Sequence, residues 1–281
     1  MLTFPNAKIN LGLHITQKRP DGYHAIESIF YPIPLKDALE VVISEKTTFK
    51  QTGLPLEITP EHNLVMKAYA LMAANFAVPK LDIYLKKAIP SGAGLGGGSA
   101  DAAFMLKLLF DLCYKNETHH GDHYLQTRRQ THLLLHELAS ALGADCPFFI
   151  HNDPVIVTGT GSQFQPTSIS LNGYTVFIVK PPVSVSTKEA YTMVQPQKPK
   201  FALENLPLIP VHEWKNVLIN DFEPVLFKKY PIIKEIKEKL YAIGAEYASM
   251  SGSGSAVYGL FKEKAVSSPF YNCFTWKGML A

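Results

Sequence analysis

A two-lobed α+β fold is predicted for this chain of 281 residues by three observations. Segments of strand period and helix period follow one another without a regular strand–helix–strand alternation. Antiparallel-looking hairpins stand near both ends of the chain. No internal repeat is present, and a boundary near residues 150–160 divides the chain into parts of comparable size, 1–153 and 154–281.

The elements follow in order. Residues 6–16, NAKINLGLHIT, alternate as a strand, with Ile9, Leu11, Leu13 and Ile15 on one face and Lys8, Asn10 and His14 on the other. Arg19-Pro20-Asp21-Gly22 makes a turn, and HAIESIFYPI resumes as a second strand. ALEVVISE (38–45) and LDIYLKKAI (81–89) are further strands. Between them NLVMKAYALMAANF (63–76) has helical spacing with Asn63 as N-cap. Residues 99–112 are helical, and a polar, histidine-rich link then runs to Arg129. A helix over 131–142 ends at Gly143, placed as a C′ glycine. ADCPFFI reads as a turn into a strand, 151–170 as short β structure, and YTVFIVKPP (174–182) as a buried strand. QPQKPKFALENLPLIP (195–210) has little periodicity and reads as a mobile link. PIIKEIKEKLYAIG (231–244) is an amphipathic helix, and AEYASMSGSGSAVYGLF (245–261) a strand, a glycine turn and a strand.

Composition bounds the function. Hydrophobic residues make up 47% and charged residues 18%, as in folded globular chains. A formal net charge of +3 gives no case for nucleic acid or a membrane surface as partner. Cys113, Cys146 and Cys273 are odd in number, far apart and without a CxxC pair, which points to a reducing, cytoplasmic setting. The first residues, MLTFPNAKINLGL, lack the basic and apolar regions of a leader, and no run approaches a membrane span.

Five of the 18 glycines fall within residues 92–98, immediately before a helix. A glycine-rich turn into a helix offers free backbone N–H groups and the positive end of the helix dipole, which together favour phosphate. Ser99 can cap that helix or reach a phosphate-bound magnesium, and Asp101 sits in the first turn. The pattern GxxxxGK[ST] fails because no lysine precedes Ser99. Gly92, Gly94 and Gly97 satisfy GxGxxG, but Pro90 and two lysines precede them and a polar link follows the helix, a poor setting for dinucleotide binding.

Pro90-Ser91-Gly92-Ala93-Gly94-Leu95-Gly96-Gly97-Gly98-Ser99-Ala100 resembles the phosphate loop PxGxGLGGGS[AS] of the GHMP kinases, named after galactokinase, homoserine kinase, mevalonate kinase and phosphomevalonate kinase. Three further stretches resemble the 4-diphosphocytidyl-2-C-methyl-D-erythritol kinase family: AKIN (7–10), RPDGYH (19–24) and LGADCPFF (142–149). SGSGSAVYG (251–259) is similar to the third superfamily motif. Asn6 stands where proline is usual, and Ser253-Gly254-Ser255 where GSGP- or GTGA-like runs are usual.

The resemblance implies a GHMP kinase fold, with an N-terminal ATP-binding and catalytic lobe (1–153) similar to domain 2 of ribosomal protein S5. A C-terminal, α/β sandwich-like substrate lobe (154–281) follows. It implies ATP and Mg2+, with residues 90–100 on the nucleotide and Ser99 on the metal. The acceptor is the 2-hydroxyl of a cytidine-diphosphate-linked methylerythritol in the non-mevalonate isoprenoid route. By resemblance Asp145 is the general base, Lys8 its catalytic partner, and Asn10, Tyr23, His24, Thr187 and Tyr191 the substrate contacts. Removing a hydroxyl proton needs such an acceptor, and an ammonium nearby keeps a carboxylate ionised.

A GHMP kinase of another small alcohol, such as homoserine or mevalonate, is the alternative, and a nicotinamide-dependent enzyme or a non-catalytic nucleotide-binding module a third reading. His119, His120 and His123 lie in the polar link, and His132 with His136 forms HxxxH. Leu133 denies these the HExxH pattern of a zinc hydrolase, so they read as surface or packing histidines.

Overall fold

The computed structural model describes residues 1–55, 59–114, 122–262 and 270–280, with the backbone alone at Tyr114 and over 122–130. In chain order the elements are β1 (Leu2–Thr3), β2 (Asn6–Lys18), β3 (His24–Lys36), β4 (Ala38–Ile43), β5 (Thr48–Gly53), α1 (Leu64–Asn75) and β6 (Leu81–Lys87). Next come α2 (Gly97–Tyr114), α3 (Asp122–Leu142), α4 (Cys146–His151), β7 (Val155–Thr158), β8 (Gln163–Pro166) and β9 (Thr175–Lys180). The chain continues through α5 (Thr187–Met193), α6 (Glu223–Lys229), α7 (Pro231–Ala242), β10 (Tyr247–Met250), β11 (Val257–Phe261) and β12 (Phe274–Met279). The described residues form two compact units: Met1–Asn6, Lys36–Ile89 and Gly96–Asn152 in the first, Ala7–Leu35, Pro90–Leu95 and Asp153–Ala281 in the second.

In the first unit a sheet runs in the order β1-β4-β6-β5. β5 pairs with β6 in parallel through Thr48↔Asp82 and Gly53↔Lys87, whereas β4 runs antiparallel to β6. Alternation puts Leu39, Val41, Leu81, Ile83 and Leu85 on one buried face. Asn63 caps α1 as the sequence predicts, its side chain accepting from the Val65 N–H at 2.9 Å. The 144–150 stretch is not a strand: Cys146–His151 is the helix α4, packed against α2 and α3. Pro147 in the first turn needs no partner for an N–H and has its φ preset, and burial of Cys146–Ile150 outweighs the strand preference of Phe-Phe-Ile. α3 also begins nine residues earlier than expected, at Asp122. Its first turns contain neither glycine nor proline, and their polar composition hides the apolar stripe by which a helix is read.

The second unit holds two further sheets, β2-β3-β7-β8 and β10-β11-β9-β12. Its core gathers Leu13 and Ile15 of β2, Phe177 and Val179 of β9, and Ile233, Ile236 and Leu240 of α7. The i, i+3, i+7 spacing on α7 supplies that apolar stripe. Residues 195–210 are more ordered than a mobile link: Leu203–Leu208 forms 3₁₀ turns with Leu203 and Leu206 fully buried. Burial of these leucines anchors the segment although Pro207 interrupts its periodicity.

Candidate active site

β2 is buried on both faces from Asn6 to Ile15, so its polar face meets protein rather than water. Buried polar groups require partners. Lys8 Nζ donates to Asn10 Oδ1 at 2.5 Å and stands 4.6 Å over the Phe30 ring. Asn10 Nδ2 donates to Ser28 Oγ, whose hydroxyl passes on to the Gly12 carbonyl. The structure therefore brings Lys8 and Asn10 into direct contact within a dry environment, where a fixed ammonium acts strongly on nearby charge.

The glycine segment is divided between the units, Pro90–Leu95 in the second and Gly96–Ala100 in the first. Gly92, Gly94 and Gly96 take φ of 58°, 73° and 71°, a region that L side chains rarely enter. At Gly94 a Cβ would lie 1.9 Å from the Ser251 carbonyl oxygen, and at Gly97 2.7 Å from Ile89 Cγ2. Much of the glycine density thus answers the protein's own packing. Gly98 differs: no positive φ applies, and a Cβ there would have only Leu64 Cδ1, at 3.7 Å, within 4 Å. At the opening of α2, the open backbone of Gly98 adjoins first-turn N–H groups that have no intrahelical acceptor, the setting a phosphate fits.

Asp145 occupies the N-cap of α4, yet its side chain does not cap the helix. Next to it, burial pushes the Cys146 thiol up to about 11, partly offset by a hydrogen bond with Ser99 and reinforced by the Asp145 charge. Ser99 and Asp145 are thereby brought to the same thiol, at the N-termini of α2 and α4. Lys8 belongs to the other unit.

A charged cluster that sequence reasoning missed lies beside the opening of α2. Lys87 Nζ donates to Asp101 Oδ2 at 2.6 Å and to Asp37 Oδ2, and Asp37 Oδ1 accepts the Ala88 and Ile89 N–H groups at 2.5 and 2.8 Å. Lys87 Nζ is 3.4 Å from where a Gly97 Cβ would stand. Burial pushes the Asp101 carboxyl up to about 7 against the pull of Lys87, while the two carboxylates raise Lys87 despite its own burial. The only sequence signals were Asp101 in a first turn and an inward position for Lys87 in the alternation of β6; Asp37 is far from both in sequence.

In DGYH the first two residues build the turn. Asp21 Oδ1 accepts the Tyr23 N–H at 3.0 Å, Arg19 forks onto Asp21, and Gly22 has φ 86°. The last two present rings. Tyr23 is 69% exposed, and His24 stacks on Tyr191 with centroids 5.0 Å apart and planes at 23°. Phe222 meets Tyr191 edge-on at 5.0 Å. α5 carries both Thr187 and Tyr191, and Thr187 Oγ1 lies 3.0 Å from Ser253 Oγ. His24 and, far along the sequence from it, Thr187 and Tyr191 of α5 thus belong to one surface with a flat aromatic element and hydrogen-bonding groups.

His132 and His136 of α3 face His151 of α4, with ring centroids 5.5 and 5.9 Å away. His119 and His120 lie outside the described residues, as does the His123 side chain. Among the described residues no three His, Cys, Asp or Glu side chains are grouped to hold a metal ion. Mg2+ needs fewer, because it is commonly held by one or two protein groups together with phosphate oxygens and water. No described helix is long and apolar enough to cross a membrane.

Residues 63–153 match the GHMP kinases N terminal domain and residues 209–274 the GHMP kinases C terminal domain. A 4-diphosphocytidyl-2-C-methyl-D-erythritol kinase of Parabacteroides distasonis is 52% identical over 284 aligned positions covering all of both chains. One of Bacteroides thetaiotaomicron is 48% identical, again over all of both. The crystal structure of a 4-(cytidine 5'-diphospho)-2C-methyl-D-erythritol kinase superposes with a TM-score of 0.74 at 30% identity, over 92% of this chain and 90% of that one. The mevalonate kinase of Methanococcus jannaschii, 14% identical over 100% and 98% of the two chains, shares the fold with a TM-score of 0.65. With the glycine segment, DGYH and LGAD motifs placed as described, the chain has the GHMP kinase fold and belongs to the 4-diphosphocytidyl-2-C-methyl-D-erythritol kinase family.

Proposed function

We propose that the protein transfers the γ-phosphoryl group of ATP to the 2-hydroxyl of 4-diphosphocytidyl-2-C-methyl-D-erythritol, a step of the non-mevalonate route to isoprenoid precursors. Full-length identity of 52% to a kinase of that name carries this reading. The open turn at Gly98 supports phosphate binding, and the His24–Tyr191 stack supports recognition of a planar base.

In this reading residues 90–100 cradle the ATP phosphates. The acceptor hydroxyl attacks the γ-phosphorus as the bond to the β,γ-bridging oxygen breaks, and its proton passes to Asp145. ADP and the phosphorylated alcohol leave. Lys8, held by Asn10, supplies positive charge for the hydroxyl and the phosphoryl oxygens, and Asn10 binds substrate. The Ser99 hydroxyl is assigned to a phosphate-bound Mg2+, which supplies neutralisation of phosphate charge when present. Tyr23, His24 and Tyr191 are assigned to the cytosine and Thr187 to the rest of the substrate. Nucleotide binding and catalysis by 1–153, substrate binding by 154–281, and a cytoplasmic setting for the three unbridged thiols are parts of the same proposal.

Purified protein offered ATP with the cytidylated methylerythritol, mevalonate or homoserine should consume ATP only with the first. Turnover of either of the others in its place would sink the assignment.

A further inference from the structure

Asn220 appears in none of the motifs above, yet three parts of the second unit meet at it. It is 1% exposed. Its backbone bridges Leu13 of β2, with the Leu13 N–H donating to the Ile219 carbonyl and the Asp221 N–H to the Leu13 carbonyl, both at 2.9 Å. Its side chain is fully used. Nδ2 donates to the Met250 carbonyl at 2.9 Å and the Gly252 carbonyl at 2.8 Å, while Oδ1 accepts the Phe222 N–H at 3.0 Å.

The turn gripped in this way holds the glycine segment in its place. Ser251 Oγ donates to the Gly94 carbonyl at 2.8 Å and accepts the Asn10 N–H at 3.3 Å. The Ser255 and Ala256 N–H groups donate to the Gly92 and Ala93 carbonyls at 3.3 and 3.2 Å. The Ser251 carbonyl fills the space that a side chain at Gly94 would need. From β2 the Lys8 N–H donates to the Leu95 carbonyl at 3.0 Å. The carboxamide of Asn220 is therefore the joint between the strand bearing Lys8 and Asn10 and the turn against which Pro90–Leu95 is seated.

We infer that Asn220 is a positioning residue for nucleotide binding: through Met250–Gly252 it sets the backbone of Gly92–Leu95 in register with Lys8 and Asn10. It touches no reacting atom, and its effect passes through Ser251. This rests on the kinase reading only in taking the nucleotide to be ATP. Removing the carboxamide takes its donors from two buried carbonyls, those of Met250 and Gly252, and the turn then loses its fixed position.

Calorimetric titration of the full chain with ATP, without acceptor, tests the inference in Asn220→Ala, Ser251→Ala and the double variant. Each single change should weaken ATP binding about tenfold, and the double variant no more than about threefold beyond the weaker single, because both act through one turn. Binding of CDP, followed in parallel, should fall clearly less than binding of ATP, because Asn220 bears on the Tyr191 surface indirectly, through Phe222; an equal loss of both counts against the inference. Effects on ATP that multiply in the double variant would overturn the inference, as would unchanged ATP affinity accompanied by a lower melting temperature. If the alanine variant does not fold, Asn220→Ser, which keeps one donor, should give an intermediate loss, and unchanged affinity there counts against the inference. A wild type that binds ATP without turning over the cytidylated alcohol defeats the functional reading alone, since the coupling is still read from ATP affinity.

Discussion

The carbonyl oxygen of Ser251 lies 1.9 Å from the point where a side chain on Gly94 would begin, and Gly94 holds φ at 73°. One glycine is thus required twice, by a backbone conformation and by another backbone lying against it. Gly98, four residues on, faces neither demand. The two positions separate packing from ligand binding. Gly94→Ala should lower the melting temperature clearly, since strained φ alone costs about 1–3 kcal/mol. Gly98→Ala should melt like the wild type or slightly higher while weakening ATP binding by tenfold or more, the new methyl standing where phosphate is placed. Thermal melts paired with ATP titrations decide it; a Gly98→Ala protein with unchanged ATP affinity would remove the phosphate from that turn.

Asp145→Asn should reduce kcat by about 10²–10⁴-fold, the usual contribution of a positioned general base. A melt run in parallel separates loss of the base from loss of fold. Steady-state kinetics with a parallel melt are sufficient, and a near-normal kcat takes the base role away from this residue.

Tyr191→Ala removes the ring on which His24 stacks. Stacking against an aromatic ring is worth roughly 1–3 kcal/mol per base, so KM for the cytidylated substrate should rise about 5- to 150-fold with KM for ATP little changed. Tyr191→Phe retains the ring and should stay close to the wild type. An equal rise in both KM values would assign Tyr191 to general packing.

The Lys87–Asp101 cluster makes stability depend on pH in a stated direction. Burial holds the Asp101 carboxyl at about 7 in the folded chain, against 3.8 ordinarily, so the folded state binds this proton more tightly than the unfolded state does. That contribution is complete below about pH 3.8 and is lost as pH rises through about 7. Asparagine keeps the shape of the protonated acid and does not titrate. The stability of Asp101→Asn relative to the wild type should therefore increase between pH 5 and pH 7.5, read from urea melts across that range. A difference that stays constant with pH would show that Asp101 is ionised throughout.

Much of the fold was legible because its signals are local. The alternation in β2, the Asn63 cap of α1, the i, i+3, i+7 stripe of α7 and the strand–turn–strand at residues 245–261 are each set by neighbouring residues, and each appears in the structure. The misreadings occur where local signals are weak or conflict with packing. Phe148-Phe149-Ile150 prefers a strand, but burial against α2 and α3 makes it a helix. The first turns of α3 carry helix formers without an apolar stripe, and Leu203 and Leu206 anchor a segment whose prolines look like those of a linker.

The candidate site divides in the same way. By itself the sequence determined the glycine turn before α2, the ring pair of DGYH, the acid of LGAD and the shared face of Lys8 and Asn10, because each is a short pattern with its chemistry in adjacent residues. Only the tertiary structure decided that the face of Lys8 and Asn10 is dry, that His24 stacks on Tyr191, and that Asp37, Lys87 and Asp101 share one buried charge cluster. The hold of Asn220 on the turn behind Gly94 also appeared only there. These relationships join residues 14 to 241 positions apart, as with Lys87–Asp101 and Asn10–Ser251, and no local pattern encodes such pairs. Burial imposes them, because every polar group taken out of water has to find a partner wherever the fold brings one.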